Sequence, residues 1–239
     1  MQAPEKTSVI VTRPAPDAAA FASLLAGRGM TAILSPVLRI DPIDISGEIG
    51  RGEALAFTSA NAVRSYLQSG GAAGLRVYAV GEATAEAARA AGFGDVIAGA
   101  SNADALSALI AAQAPERRER VLHVVGREET GDLVGRLRQA GVEARRVVGY
   151  AATPIETISR EAAAALERGG AWVAHFSPRS ARLFCAAASA AALDAAIAKT
   201  GAACLSAAVA EAAGPGWARK AVAVRPTAGA LIDAIAAAR

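Results

Sequence analysis

The chain has 239 residues, 53% hydrophobic and 20% charged, a balance that excludes disorder and allows one large domain or two of ordinary size. Its net charge is only +3 and its aromatic share 4%, with no basic stripe interleaved with aromatic rings, so no nucleic-acid partner is expected. Cys185 and Cys204 lie in apolar, Ala-rich surroundings without metal-ligand spacing, which points to free thiols in a reducing compartment and to no bound metal. The basic residues are 22 arginines and three lysines, Lys6, Lys199 and Lys220. Arginine suits two-point recognition of carboxylate or phosphate, although a composition biased toward Ala and Arg explains most of the excess without it. Glu5, Lys6 and Thr7 run into Val9-Ile10-Val11 without a signal-peptide pattern, and no apolar stretch reaches bilayer length, so a soluble cytoplasmic protein is expected.

Short β-branched runs alternate with helical stretches from end to end. Strands are predicted over 8–12, 32–34, 55–57, 76–80, 95–97, 121–125, 171–176, 203–206 and 221–224. Helices are predicted over 17–27, 61–69, 82–91, 103–113, 130–140, 156–168, 179–188, 207–213 and 228–238. Such alternation implies βαβ units and parallel sheets covered on both faces. Gly29, Gly92, Gly141, Gly169 and Gly201 each follow a helical stretch, as C-terminal caps would. Two extended segments, 35–42 and 146–154, stand outside the alternation and are bounded by prolines. Proline forbids helix continuation and suits edge or linking strands, so these read as two crossings between lobes.

The second half repeats the first faintly. Ala56-Phe57-Thr58-Ser59-Ala60-Asn61-Ala62-Val63 is echoed by Ala174-His175-Phe176-Ser177-Pro178-Arg179-Ser180-Ala181. Val80-Gly81-Glu82-Ala83-Thr84 is echoed by Leu205-Ser206-Ala207-Ala208-Val209, Val11-Thr12-Arg13 by Val125-Gly126-Arg127, and Ser101-Asn102 by Pro226-Thr227. The spacing drifts from 118 at Ser59/Ser177 to 125 at Gly81/Ser206, which fits extra helical turns around 186–200. Each echo is an apolar run, a small hydroxyl or glycine residue, and an Ala-rich helix. A strand running into a helix N-terminus presents free N–H groups and a positive dipole end to anions. Two such arrays suggest two similar lobes with a cleft, although the repeat alone fits tandem and exchanged arrangements alike.

Absent motifs narrow the chemistry. Thr12-Arg13-Pro14 stands where a dinucleotide fingerprint would, and the stretch Gly126–Asp132 lacks the Lys-Ser/Thr pair of a phosphate loop. His123 and His175 fall inside predicted buried strands and read as structural. The chain reads as a device for holding an anionic ligand, without a strong nucleophile or metal.

The residues Val11-Thr12-Arg13-Pro14, Phe57-Thr58-Ser59, Ala62-Val63, Val80-Gly81, Thr84-Ala85, Val148, Tyr150, Phe176-Ser177-Pro178, Leu205-Ser206 and Pro226-Thr227 resemble, in order, the motifs of the uroporphyrinogen-III synthase family. The resemblance implies an α/β fold of two similar flavodoxin-like parallel-sheet lobes joined by a two-stranded β ladder. One lobe would combine 1–36 with 154–239, the other would be 42–146, and 37–41 and 147–153 would connect them. It implies a cofactor-free monomer that cyclises hydroxymethylbilane, a linear tetrapyrrole with eight carboxylates, by losing water and inverting the last ring. Tyr150 would touch the leaving hydroxyl. Thr12, Arg13, Thr58, Ser59, Gly81, Thr84, Arg127, Ser177, Ser206 and Thr227 would hold the acidic side chains. Each has a plainer reading: the hydroxyls as helix N-caps, Arg13 and Arg127 as surface ion pairs, Tyr150 as a half-buried ladder residue. Ser206 stands where Gly81 does in the repeat, and Val209 where Thr84 does, which weakens the second site in the 154–239 lobe. A non-catalytic two-lobed binding protein is the rival reading, and a sugar-nucleotide transferase a third, disfavoured by the missing phosphate loop.

Overall fold

The computed structural model describes residues 7–50, 52–99, 102–117, 119–129 and 131–238; Glu5, Lys6, Ser101 and Thr130 lie outside them. The chain divides into two compact units, residues 1–39 with 153–239 and residues 40–152.

The first unit holds a five-stranded parallel sheet. Its strands are β1 (Ser8–Val11), β2 (Thr31–Leu34), β9 (Trp172–His175), β10 (Gly201–Cys204) and β11 (Arg219–Val222), in the order β11-β10-β9-β1-β2. Helices α1 (Asp17–Gly27) and α10 (Ala228–Ala237) cover one face, where Val9, Val11, Phe21, Trp172, Leu231 and Ile235 pack together. The alternate residues Ile10 and Val173 meet Leu166 of α6 (Arg160–Arg168), Phe184 of α7 (Pro178–Ala190) and Ile197 of α8 (Asp194–Ile197) on the other. The period-two alternation of strand side chains thus fills both layers from one set of apolar runs. Beside them Val209 of α9 (Ala207–Ala212) packs on Ala202 and Cys204.

The second unit holds β4 (Glu53–Phe57), β5 (Val77–Ala79), β6 (Val96–Ala98), β7 (Arg120–Gly126) and β8 (Ala144–Pro154), with β3 (Leu38–Pro42) at the edge, in the order β3-β8-β7-β4-β5-β6. The pairings from β8 to β6 are parallel. Leu55 and Phe57 face α2 (Ala60–Gln68) and α3 (Glu82–Ala90) with Tyr66, Ala85 and Leu122. Ala54, Ala56 and Tyr78 face α4 (Ala103–Arg117) and α5 (Leu133–Gln139) with Leu106, Ile110 and Leu137. The chain crosses between units twice, within β3 and near the end of β8. Ile43 N donates to Gly149 O at 2.8 Å and Ile155 N to Val37 O at 2.9 Å, so these two strands run antiparallel as a ladder.

Every strand and helix expected from the sequence has a counterpart among the described residues, with shifted ends. Helix α6 starts at Arg160 and not 156, because Ser159 caps it by accepting from Ala162 N at 3.2 Å. The extra length around 186–200 is the tail of α7 and the single-turn α8. Gly29, Gly92, Gly141 and Gly169 take positive φ after their helices, as caps do. Gly201 does not: it opens β10, and a Cβ there would lie 2.5 Å from the Trp172 ring. It is a close-approach glycine inside the sheet, not a cap.

Candidate active site

Parallel strands bring their C-terminal ends to one edge of each sheet. In an open α/β sheet, ligands bind beyond those ends where the strand order reverses. In the first unit the reversal lies between β1 and β9, in the second between β7 and β4. The loops there carry Thr12-Arg13 and Phe176-Ser177 in one unit, and Thr58-Ser59 and Arg127–Glu129 in the other.

In the first unit Thr12 is fully buried and its hydroxyl donates to Ala174 O at 2.8 Å, stitching β1 to β9 under the loop. The Arg13 guanidinium lies 4.7 Å from the Phe176 ring centre and 3.2 Å from the Asp17 carboxylate, half-exposed at the edge. Ser177 accepts from Ser180 N at 3.0 Å, and Ser180 Oγ accepts from Ser177 N at 3.1 Å, a reciprocal box before Pro178. Ser206 caps α9 by accepting from Val209 N at 3.4 Å. Thr227 caps α10 from an exposed position, accepting from Ala230 N at 3.3 Å. Caps of this kind leave the other first-turn N–H groups to face a carboxylate.

In the second unit Ser59 caps α2, accepting from Asn61 N at 3.1 Å. Gly81 starts α3 without a side-chain cap, leaving first-turn N–H groups uncovered there, while Thr84 is buried in the first turn. Arg127 is exposed, and its backbone N–H donates to Tyr150 O at 2.8 Å. Tyr150 owes its place to an irregularity. The β7–β8 register pairs Val125 with Val148 but Gly126 with Tyr150, so Gly149 is the extra residue of a bulge. That bulge lets Val147 and Tyr150, three apart, join the same apolar cluster on the α2 and α3 face. Gly126 makes room: a Cβ on it would lie 2.8 Å from the Tyr150 ring. Gly149 lets α2 approach, its carbonyl accepting from the Ser65 hydroxyl.

Electrostatics follow from this packing. Burial pushes the Tyr150 phenol upward, with Glu129 and Glu128 adding to the rise, against a hydrogen bond from Ser59 and the nearby Arg64 charge. The phenol is therefore protonated at neutral pH. His123 is buried on β7 and lowered to about 4 by burial and then by Arg146, so it is neutral. Its Nε2 lies 3.7 Å from Glu129 Oε1. The Glu129 carboxylate takes up the Thr58 hydroxyl, with oxygens 3.1 and 2.9 Å from Thr58 Oγ1. Burial raises the Glu129 pKa, opposed by Thr58 and Arg146. In the first unit His175 is fully buried between Phe184 and Trp217 and lowered to about 3 by burial.

Two charged groups that act on Tyr150 were not singled out from the sequence, Glu129 and Arg64. Glu129 lies within the Gly126–Asp132 stretch that resembled a phosphate loop, and a charged residue just after a strand's end was the available signal. Arg64, on α2, bonds Asn61 and is near enough in the fold for its charge to oppose the rise of the Tyr150 phenol. Among the described residues no group of three or more His, Cys, Asp or Glu could hold a metal ion, and no helix is long and apolar enough to cross a membrane.

Two solved structures share this architecture. A mutant uroporphyrinogen III synthase from the extreme thermophile Thermus thermophilus matches with 19% identity and a TM-score of 0.56, over 97% of this chain and 98% of that one. The uroporphyrinogen-III synthetase of Helicobacter pylori matches with 16% identity and a TM-score of 0.62, over 98% and 100%. At those identities the likeness speaks for the fold. No curated protein matches the chain in sequence. The family model described as uroporphyrinogen-III synthase HemD, however, matches residues 19–233 and so takes in the hydroxyl caps, the bulge and Tyr150 together. On that match the chain belongs to the uroporphyrinogen-III synthase family.

Proposed function

We propose that the chain converts hydroxymethylbilane to uroporphyrinogen III, with Tyr150 donating a hydrogen bond or proton to the departing hydroxyl. The observation that carries this reading is the family match over residues 19–233, joined to a buried, protonated phenol beside a helix N-terminus at the strand-order reversal. The pyrrole nitrogen drives loss of the hydroxyl, and the electron-poor carbon left behind is attacked by the substituted position of the last ring. The resulting spiro intermediate fragments and recloses with that ring inverted. Spontaneous closure attacks from the unsubstituted position and leaves the ring uninverted. The task is therefore one of holding a flexible polyanion so that the hindered position is nearer, and positioning of this kind supplies effective molarities on the order of 10⁵ M or more.

The acidic side chains would be held by the hydroxyl-capped N-termini at Ser59, Ser177, Ser206 and Thr227, the open N-terminus at Gly81, and the cations Arg13 and Arg127. Thr58 and Thr84 support the same loops from within, and Thr12 anchors the loop bearing Arg13. The loops come from both lobes of the exchanged arrangement, 1–36 with 154–239 and 42–146, with 37–41 and 147–153 as the connecting strands. The protein would act as a monomer; a reducing cytoplasm is a reading supported by its two free thiols, of which Cys204 is pushed up to about 11 by burial. The test is to supply enzymatically generated hydroxymethylbilane and measure the isomer ratio of the product. The expected product is predominantly the inverted isomer; the uninverted isomer alone refutes the reading.

A further inference from the structure

We propose that Glu129 contributes a negative charge to the reaction, holding the cationic character that develops on the pyrrole rings after the hydroxyl leaves; this rests on the synthase reading above. A site that takes up a substrate with eight carboxylates gains nothing in binding from an acidic side chain at its strand ends. Yet Glu129 stands in the loop directly after β7, at the strand-order reversal, joined to Thr58 after β4. A residue that breaks the local electrostatic rule marks a functional position more often than a packing one.

Its surroundings argue against a plain structural ion pair. The facing His123 is neutral, so the 3.7 Å approach is not a salt bridge. Arg146 donates from its guanidinium to the Glu129 backbone carbonyl at 2.9 Å, not to the carboxylate. Burial raises the carboxyl pKa, so the ionised form is one the fold tolerates at a cost. The Thr58 hydroxyl fixes the group in place without neutralising it.

The chemistry supplies a use for such a charge. Departure of the hydroxyl, with a proton from Tyr150, gives water and a ring that carries positive charge delocalised to nitrogen. The charge persists through attack, fragmentation and reclosure, and ends when the reclosed carbon loses its hydrogen as a proton and the C–H electron pair restores the aromatic ring. That released proton balances the one given by the phenol. A fixed, partly buried carboxylate favours each ring cation over the uncharged ring that precedes it, which is differential stabilisation of the kind that raises kcat. The same charge repels the bound polyanion and weakens substrate binding. The two effects have opposite signs in kcat and KM.

Glu129→Gln separates this from a stapling role, because the amide oxygen still accepts from Thr58 while the charge is gone. The expected result is kcat lower by about tenfold or more together with a KM lower by about two- to threefold. Thr58→Val removes the staple and keeps the charge, and is expected to lower kcat by less than Glu129→Gln does, with no fall in KM. Glu129→Asp should recover part of kcat. An unchanged kcat in Glu129→Gln, or equal losses in Glu129→Gln and Thr58→Val without a fall in KM, overturns the inference while leaving the synthase reading intact. A wild-type protein that yields no inverted isomer overturns both.

Discussion

Tyr150 is 8% exposed, its phenol hydrogen-bonded with Ser59 and within reach of the charges of Glu129 and Glu128. Burial first, then the two carboxylates, hold the proton on the oxygen against the Ser59 hydrogen bond, and general acid assistance of this kind is worth about 10²–10⁴ in rate. Tyr150→Phe keeps the ring that packs over Gly126 and loses the donor. It should lower kcat by about a hundredfold with unchanged far-UV circular dichroism, and full activity in that variant would remove the acid role. The histidines make a second residue-scale case. His175 is lowered to about 3 and His123 to about 4, both mainly by burial, so each ring binds its proton more readily in the unfolded chain. Stability is then complete above the unfolded value of about 6.5 and falls as pH drops toward the folded values, by about 1.4 kcal/mol per pH unit for each ring. Glu129, raised in the folded state, opposes this by one group; the lowered carboxylates Glu53 and Asp44 join the loss only below the carboxylate range. Urea midpoints measured from pH 7 to pH 5 should therefore decline, and His175→Phe, which suits the Phe184 and Trp217 rings around it, should flatten the decline. A wild-type midpoint independent of pH over that range contradicts the assignment.

At the scale of elements, what was legible in the sequence is what repeats in chemical kind. Ser59, Ser177, Ser206 and Thr227 could be read as helix starts because a hydroxyl before an Ala-rich run has one dominant use, and all four accept a first-turn N–H. The buried histidines were legible for the same reason, each lying inside an apolar strand. The β8 bulge was not. Gly149 next to Tyr150 looks like any glycine in a strand, and the two-against-one pairing is decided by the neighbouring strand β7 and by the approach of Ser65 from α2. Gly201 misled for a related reason. A glycine after a helix and a glycine under a tryptophan ring carry the same letter, and only the 2.5 Å approach to Trp172 tells them apart. Glu129 was passed over because its meaning depends on Thr58, 71 positions away in sequence. Local propensity reaches caps and strand periodicity; it does not reach contacts whose partners are set by sheet order.

At the scale of the molecule the faint repeat becomes a repeat of topology. Read outward from its edge, the first sheet runs β2-β1-β9-β10-β11 and the second runs β8-β7-β4-β5-β6, so β1 corresponds to β7 and β9 to β4. The first of these is the flavodoxin-like order, and the second is the same sheet with its chain begun at a different strand. One copy is therefore continuous, residues 40–152, and the other is closed only when residues 1–39 meet 153–239. The continuous copy has two apolar layers of its own, around Leu55, Phe57 and Tyr66 on one face and Tyr78, Leu106 and Ile110 on the other. Both layers draw on residues inside 40–152, which is what independent folding requires. That segment expressed alone should unfold in a single cooperative transition in urea and show dispersed amide resonances. It carries Tyr150, Ser59 and Glu129 but lacks Arg13 and Ser177, so it should consume hydroxymethylbilane without raising the inverted isomer above the spontaneous level. Inverted product from the isolated segment would show that the discontinuous copy has no part in folding the substrate, and a non-cooperative melt would show that the sheet of the continuous copy depends on the rest of the chain.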